Sequence, residues 1–128
     1  MITQQVKEKH ELLVFKKSFK ISPYLFAIVA GPYSFVEQKK QEEGLPPMRI
    51  YLRSSVINTV EPKILDDMLL TTVTGMRFYK DLFGMPYQFS KYDQIFVPEF
   101  NAGAMENVAC VTYTEHNLRR GSTMTLDD

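Results

Sequence analysis

Asn101-Ala102-Gly103-Ala104-Met105-Glu106-Asn107 is a short, polar, glycine-bearing segment between two runs that both read as β-strands. Upstream, Tyr92 to Val97 has strand composition and ends at Pro98, which cannot donate to a ladder. Downstream, Ala109, Val111 and Tyr113 alternate with Cys110, Thr112 and Thr114, the period of two of a half-buried strand. Gly103 and Ala104 leave the backbone open to close approach, and Glu106 sets a carboxylate beside it. If this segment lies on a sheet edge, an extended peptide can add there through main-chain hydrogen bonds. Glu106 would then meet its terminal ammonium.

Before Tyr92 the period changes. Leu65, Leu69, Thr72, Met76, Tyr79 and Phe83 recur at alternating spacings of four and three, which predicts one buried face of a helix from about Glu61 to Phe83. Pro62 suits its first turn and Gly84 its C-terminal cap, while Gly75 in its interior costs roughly 1 kcal/mol against Ala. Met48, Ile50 and Leu52 alternate with Arg49, Tyr51 and Arg53 as another half-buried strand, and Met85-Pro86-Tyr87 reads as a turn. Strand, helix, strand, motif and strand make an α/β unit.

Towards the N-terminus the pattern turns to β alone. Leu12 to Phe15 and Phe19 to Ile21 have strand composition, separated by Lys16-Lys17. Tyr24 to Tyr33 predicts a buried strand closed by Gly31-Pro32, with Ser34-Phe35-Val36 as a brief continuation. The polar run Glu37 to Gly44 reads as a linker or surface loop before Pro46-Pro47. A domain boundary is expected there, dividing the chain into residues 1–44 and 45–128. The fold class expected is α+β. Asn117 to Asp128 carries no apolar period, and there is no internal repeat.

Composition removes several function classes. Fifteen basic and fifteen acidic residues are interleaved, so no basic footprint for nucleic acid is present. The longest apolar run, Tyr24 to Gly31, is far short of the ~18 residues that span a bilayer, and Met1 to His10 is too polar for a signal peptide. Cys110 is the only cysteine, which excludes an internal disulfide and tilts the localisation towards the cytoplasm. His10-Glu11-Leu12-Leu13-Val14 begins like H-E-x-x-H, but Val14 stands where the second imidazole is needed, so it is not a zinc helix. His116 reads as a surface residue.

Gly103-Ala104-Met105-Glu106-Asn107, with Val111-Thr112-Tyr113 after it, resembles the exopeptidase motif of the zinc aminopeptidases typified by aminopeptidase N. Two further blocks are similar and in the same order. Ser22 to Tyr33 resembles the last strand of that family's N-terminal domain, and Phe78 to Tyr87 resembles a helix end and turn of its catalytic domain. The resemblance runs from about Phe15 to Glu115. It implies the end of an all-β N-terminal domain and then the first strand-helix-strand part of a thermolysin-like catalytic domain. It also implies a Zn²⁺ enzyme that removes N-terminal residues from peptides with a free N-terminus.

The family's zinc ligands, an H-E-x-x-H helix and a later Glu, lie downstream of the motif and are absent here. The segment alone is therefore expected to bind no zinc and to hydrolyse nothing. Its implied contribution is a substrate site, with Gly103 and Ala104 as backbone contacts, Met105 near the first side chain, Glu106 on the α-ammonium and Asn107 orienting the loop. Each also has a plain structural reading: a turn, a filler, a solvated carboxylate, a loop-internal hydrogen bond. Glu115 has a counterpart in many family members, and no catalytic role is carried onto it. The family often has Trp-Gly directly after the motif; here Val108-Ala109 stands in that place. A branch that also hydrolyses an epoxide tends to begin its motif Gly-Gly, so Ala104 points to the ordinary aminopeptidase. The other reading is a non-catalytic peptide-binding or truncated remnant of the family.

Overall fold

The computed structural model describes residues 3–7 and 10–118, with side chains from Val14 onward. The expected tail beyond 118 therefore lies outside the described residues. β1 (Thr3–Lys7) and β2 (His10–Val14) pair antiparallel as a separate hairpin. The near-miss zinc motif lies on β2, a strand that cannot set residues i and i+4 on one helical face.

The main sheet has five strands in the order β3-β4-β5-β7-β6. They are β3 (Tyr33–Glu37), β4 (Met48–Arg53), β5 (Tyr92–Val97), β6 (Ala104–Met105) and β7 (Cys110–Thr114). β4, β5 and β7 run parallel, and β3 and β6 close the two edges antiparallel. Parallel neighbours need a crossover connection, and α2 (Pro62–Phe83) supplies it between β4 and β5, after the single turn α1 (Ser54–Ile57). The fold is mixed α+β.

The alternation read in β4 is realised: Met48, Ile50 and Leu52 are fully buried while Arg49, Tyr51 and Arg53 are half-buried. α2 starts with Pro62 in its first turn, and Gly84 at φ 62° ends it in the left-handed conformation that glycine adopts without strain. Leu65, Leu69 and Val73 form its buried stripe, joining Val56, Val60 and Phe96 in the core with the three β4 side chains. Thr72 is half-buried; its hydroxyl donates to the Met68 carbonyl (2.9 Å) and accepts from the Gln94 amide (3.0 Å) on β5.

Two sequence expectations are corrected. The apolar face of α2 does not stay buried to its end. Tyr79 is 57% and Phe83 69% exposed, because the core contacts of the helix end near Met76 and its last turns run past the sheet. The two rings stack on one another instead, with centroids 5.8 Å apart.

The second correction concerns the N-terminal part. Phe19 to Ile21 is not a strand, and Tyr24 to Tyr33 is not a buried one. Pro23–Leu25 forms one 3₁₀ turn, residues 26–30 join no ladder, and Phe26 and Ile28 are exposed. Pro23 and Pro32 bracket this stretch and donate nothing. Leu25 and Phe26 spend their N–H groups locally, on Ser22 (3.0 Å) and Pro23 (3.2 Å) carbonyls. The strand starts only at Tyr33, after the Gly31-Pro32 turn.

The polar run after Glu37 is a surface loop. It closes the β3–β4 hairpin, whose register runs from Tyr33↔Arg53 to Glu37↔Arg49, so residue 44 falls inside that hairpin's connection. A two-pronged Arg77–Glu42 pair ties the loop to α2.

These packing assignments predict that Leu69→Ala lowers the urea-unfolding free energy by about 2–5 kcal/mol. Phe83→Ala, equally drastic in chemistry, is expected to cost less than about 0.5 kcal/mol. The aromatic cluster Phe89, Tyr87 and Tyr92 adds a pH signature. Burial, with the Asp93 charge adding, pushes the Tyr87 hydroxyl up to about 12, and burial raises Tyr92 as well. In the unfolded chain both ionise near ~10. The folded-state values are the higher ones, so this contribution to stability is full below pH ~10 and is lost as pH rises through about 12. Titration of tyrosinate absorbance should show part of the seven tyrosines ionising late in the native chain and all near ~10 in urea.

Candidate functional site

Three parallel strands end at the same side of the sheet, and β5 leads from there through residues 98–103 into β6. β6 is two residues long, pairs with β7 through Ala104↔Tyr113 and Met105↔Thr112, and is the outermost strand of the sheet. Its far edge has no strand partner among the described residues. Gly103 enters it with open space around its α-carbon: a methyl group there would meet nothing within 4 Å. Ala104 is exposed and Met105 half-buried.

The Gly103 carbonyl points back into the protein, accepting from the Thr114 N–H (3.0 Å) and the Asn117 side-chain amide (3.4 Å). Glu106 stands immediately beyond β6 and is exposed. Asn107 is buried, its side-chain carbonyl accepting from the Thr112 hydroxyl (3.0 Å). The five motif residues are thus one contiguous edge. Gly103, Ala104 and Glu106 are open to an incoming ligand, while Asn107 is committed to holding the hairpin.

Asn107 opens a four-residue turn, closed by the Cys110 N–H to the Asn107 carbonyl (3.1 Å). Its third residue, Ala109, has φ 57°, the sign that glycine supplies in type II turns. The Ala109 carbonyl is held from both sides, by the Asp93 N–H (3.1 Å) and the Lys91 ammonium (3.1 Å). Lys91 also pairs with the Asp93 carboxylate. Val108 donates its N–H to the Leu25 carbonyl (3.0 Å), which docks the N-terminal segment against the end of the motif.

Two residues that sequence reasoning gives no role join this site. Arg53 at the end of β4 donates two bonds, of 2.7 and 2.6 Å, to Glu115 just past β7. They are 62 positions apart, and no local pattern announces the pair.

Among the described residues no group of three or more His, Cys, Asp or Glu could hold a metal ion. His116 is exposed, and burial raises the Cys110 thiol, which leaves it a poor thiolate ligand. The described residues do not fit zinc. Among the described residues, no helix is long and apolar enough to cross a membrane.

The profile of the peptidase family M1 domain matches residues 68–126. Aminopeptidase N of Streptomyces lividans is 36% identical over 113 residues, 88% of this chain and 13% of its own length. Aminopeptidase M1-C of Oryza sativa subsp. japonica is 38% identical over 104 residues, 81% of this chain and 11% of its length. Aminopeptidase N of Homo sapiens is 37% identical over 99 residues, 77% of this chain and 10% of its length. The chain therefore spans roughly a tenth of the relatives it matches.

The turn after the motif carries a direct test. A left-handed alanine costs ~1–2 kcal/mol, partly offset in glycine by its looser unfolded state. Ala109→Gly should therefore stabilise the chain by about 0.5–1 kcal/mol in urea unfolding, against the usual direction of Ala-to-Gly changes. A loss of stability would show that the left-handed turn is wrong.

Proposed function

The chain belongs to peptidase family M1, and from that premise we propose that it is the part of an aminopeptidase that holds the free amino end of a peptide substrate. The observation that carries this reading is the exposed Glu106 carboxylate directly beyond a two-residue edge strand, β6, whose outer side pairs with no other strand among the described residues. A peptide extended along β6 would bond to its backbone, and its first residue would stop where the ammonium meets Glu106. A carboxylate fixed at that point measures from the end of the chain, which is what removal of single N-terminal residues requires. Gly103 keeps the approach open, Met105 would stand near the first side chain, and Asn107 keeps the loop in place through Thr112.

The reaction itself falls to groups outside this segment. In a complete enzyme Zn²⁺, held by other residues, would polarise the scissile carbonyl and activate water. The division proposed is that residues 1–44 close an all-β N-terminal domain and 45–128 open a thermolysin-like catalytic domain. The β3–β4 hairpin would then bridge the two.

The test is a titration of the 128-residue chain with a tripeptide amide bearing a free N-terminus and with its N-acetyl form, monitored by amide NMR. Binding is expected for the free amine only, with shifts at Gly103 and Ala104. Glu106→Gln should weaken it about tenfold or more, the size of one charge-assisted bond. No hydrolysis above the blank is expected, with or without added Zn²⁺. Equal binding of the acetylated peptide would overturn the amine anchor. Hydrolysis would overturn the division of labour, and free-amine binding without any catalysis in the complete protein would favour the non-catalytic remnant.

A further inference from the structure

The Arg53–Glu115 pair is placed unlike the more open ion pairs of the surface. Lys39–Asp66 and Lys63–Asp67 join well-exposed side chains, whereas the Glu115 side chain is only 9% exposed and is gripped by both prongs of the guanidinium. Arg53 ends β4 and Glu115 comes directly after the last residue of β7, so the contact reaches over the end of β5, which lies between them. A fork-to-carboxylate contact fixes direction as well as distance.

The residues around Glu115 are the ones that hold the motif. Thr114, directly before it, donates its N–H to the Gly103 carbonyl, and Asn117, two residues after it, donates its side-chain amide to the same oxygen. Glu99, at φ 50°, starts the connection into the motif, and its charge adds to Glu115 in favouring the Arg53 cation. Arg53 thus bonds directly to the segment just past β7, whose Thr114 and Asn117 hold the Gly103 carbonyl.

We propose that Arg53 and Glu115 are positioning residues of the amine-binding edge: their clasp sets where Thr114 and Asn117 stand, and through the Gly103 carbonyl it sets the register of β6 and the reach of Glu106. The proposal rests on the peptide-end reading for its effect on binding, though not for its effect on geometry. A shift of an ångström at such an edge separates a bond made from a bond missed. Neither residue touches the substrate in this arrangement, and β6 has only two ladder residues to resist displacement.

The experiment compares the wild-type chain with Arg53→Lys, which keeps the charge and loses the fork, and with the reversed pair Arg53→Glu/Glu115→Arg. Two readouts are taken: amide hydrogen exchange, and binding of the free-amine tripeptide. In Arg53→Lys the Thr114 amide is expected to exchange roughly tenfold faster, while the Tyr92 amide bonded to Pro47 keeps its protection, so that the change is local and not global unfolding. Peptide binding should weaken about fivefold or more, and the reversed pair should recover both at least in part.

Unchanged Thr114 exchange and binding within about twofold of wild type in Arg53→Lys would sink the proposal. If both amides lose protection together, the pair is merely structural, and the proposal also falls. If the wild-type chain binds no peptide, the peptide-end reading fails. The exchange readout then still decides whether the clasp positions Gly103.

Discussion

The parallel pairing of β4, β5 and β7 is the constraint on which the rest of the structure depends. Parallel neighbours cannot be joined by a tight turn, so the chain must leave the sheet after Arg53 and return at Tyr92, and α2 fills that excursion. The return journey buries Leu65, Leu69 and Val73 against Met48, Ile50 and Leu52, and the two stripes are the core. Parallel pairing also brings the three strand ends to one side. The motif begins where β5 ends, so it has to fold back beside the end of β7, and an edge strand is the result. In open α/β sheets that end is where ligands bind.

Sequence reading succeeds where a period has one interpretation. β4 alternates because it buries one set of side chains, and Tyr92 to Val97 is bounded at its end by Pro98. Pro62 and Gly84 mark α2 at the two positions where their backbone chemistry is tolerated best. It fails where apolar content stands in for burial. Tyr24 to Tyr33 and the last turns of α2 carry many large apolar side chains, yet Phe26, Ile28, Tyr79 and Phe83 lie on the surface. Composition records which faces gain by burial; only the packing of other elements decides which are buried. In the first stretch two prolines also remove the donors that a ladder needs.

The site shows the same split between local and distant information. Gly103 to Asn107 is legible because its residues are adjacent and its flanks are strands. For Asn107 a side-chain bond to nearby backbone is the expectation, whereas its side-chain carbonyl accepts instead from the Thr112 hydroxyl on β7. The Arg53–Glu115 pair is invisible in the sequence, since a contact 62 positions apart leaves no trace in spacing. Ala109 is the intermediate case. A departure from glycine is readable in the sequence, but that the position demands a positive φ is known only once the Asn107–Cys110 turn is seen.

The shortness of β6 has a physical logic of its own. A long unpaired edge would recruit any extended chain, including another copy of itself, and proteins commonly blunt such edges by keeping them short or charged. Two residues and then a carboxylate satisfy both devices at once. On the proposed function, the same carboxylate that deters internal strand segments, which bring only neutral backbone, would favour the one partner that carries a positive charge at its first residue. Under that proposal, protection against aggregation and selection for a free amino end would not be separate requirements: Glu106 would meet both because it stands at the end of the edge and not within it.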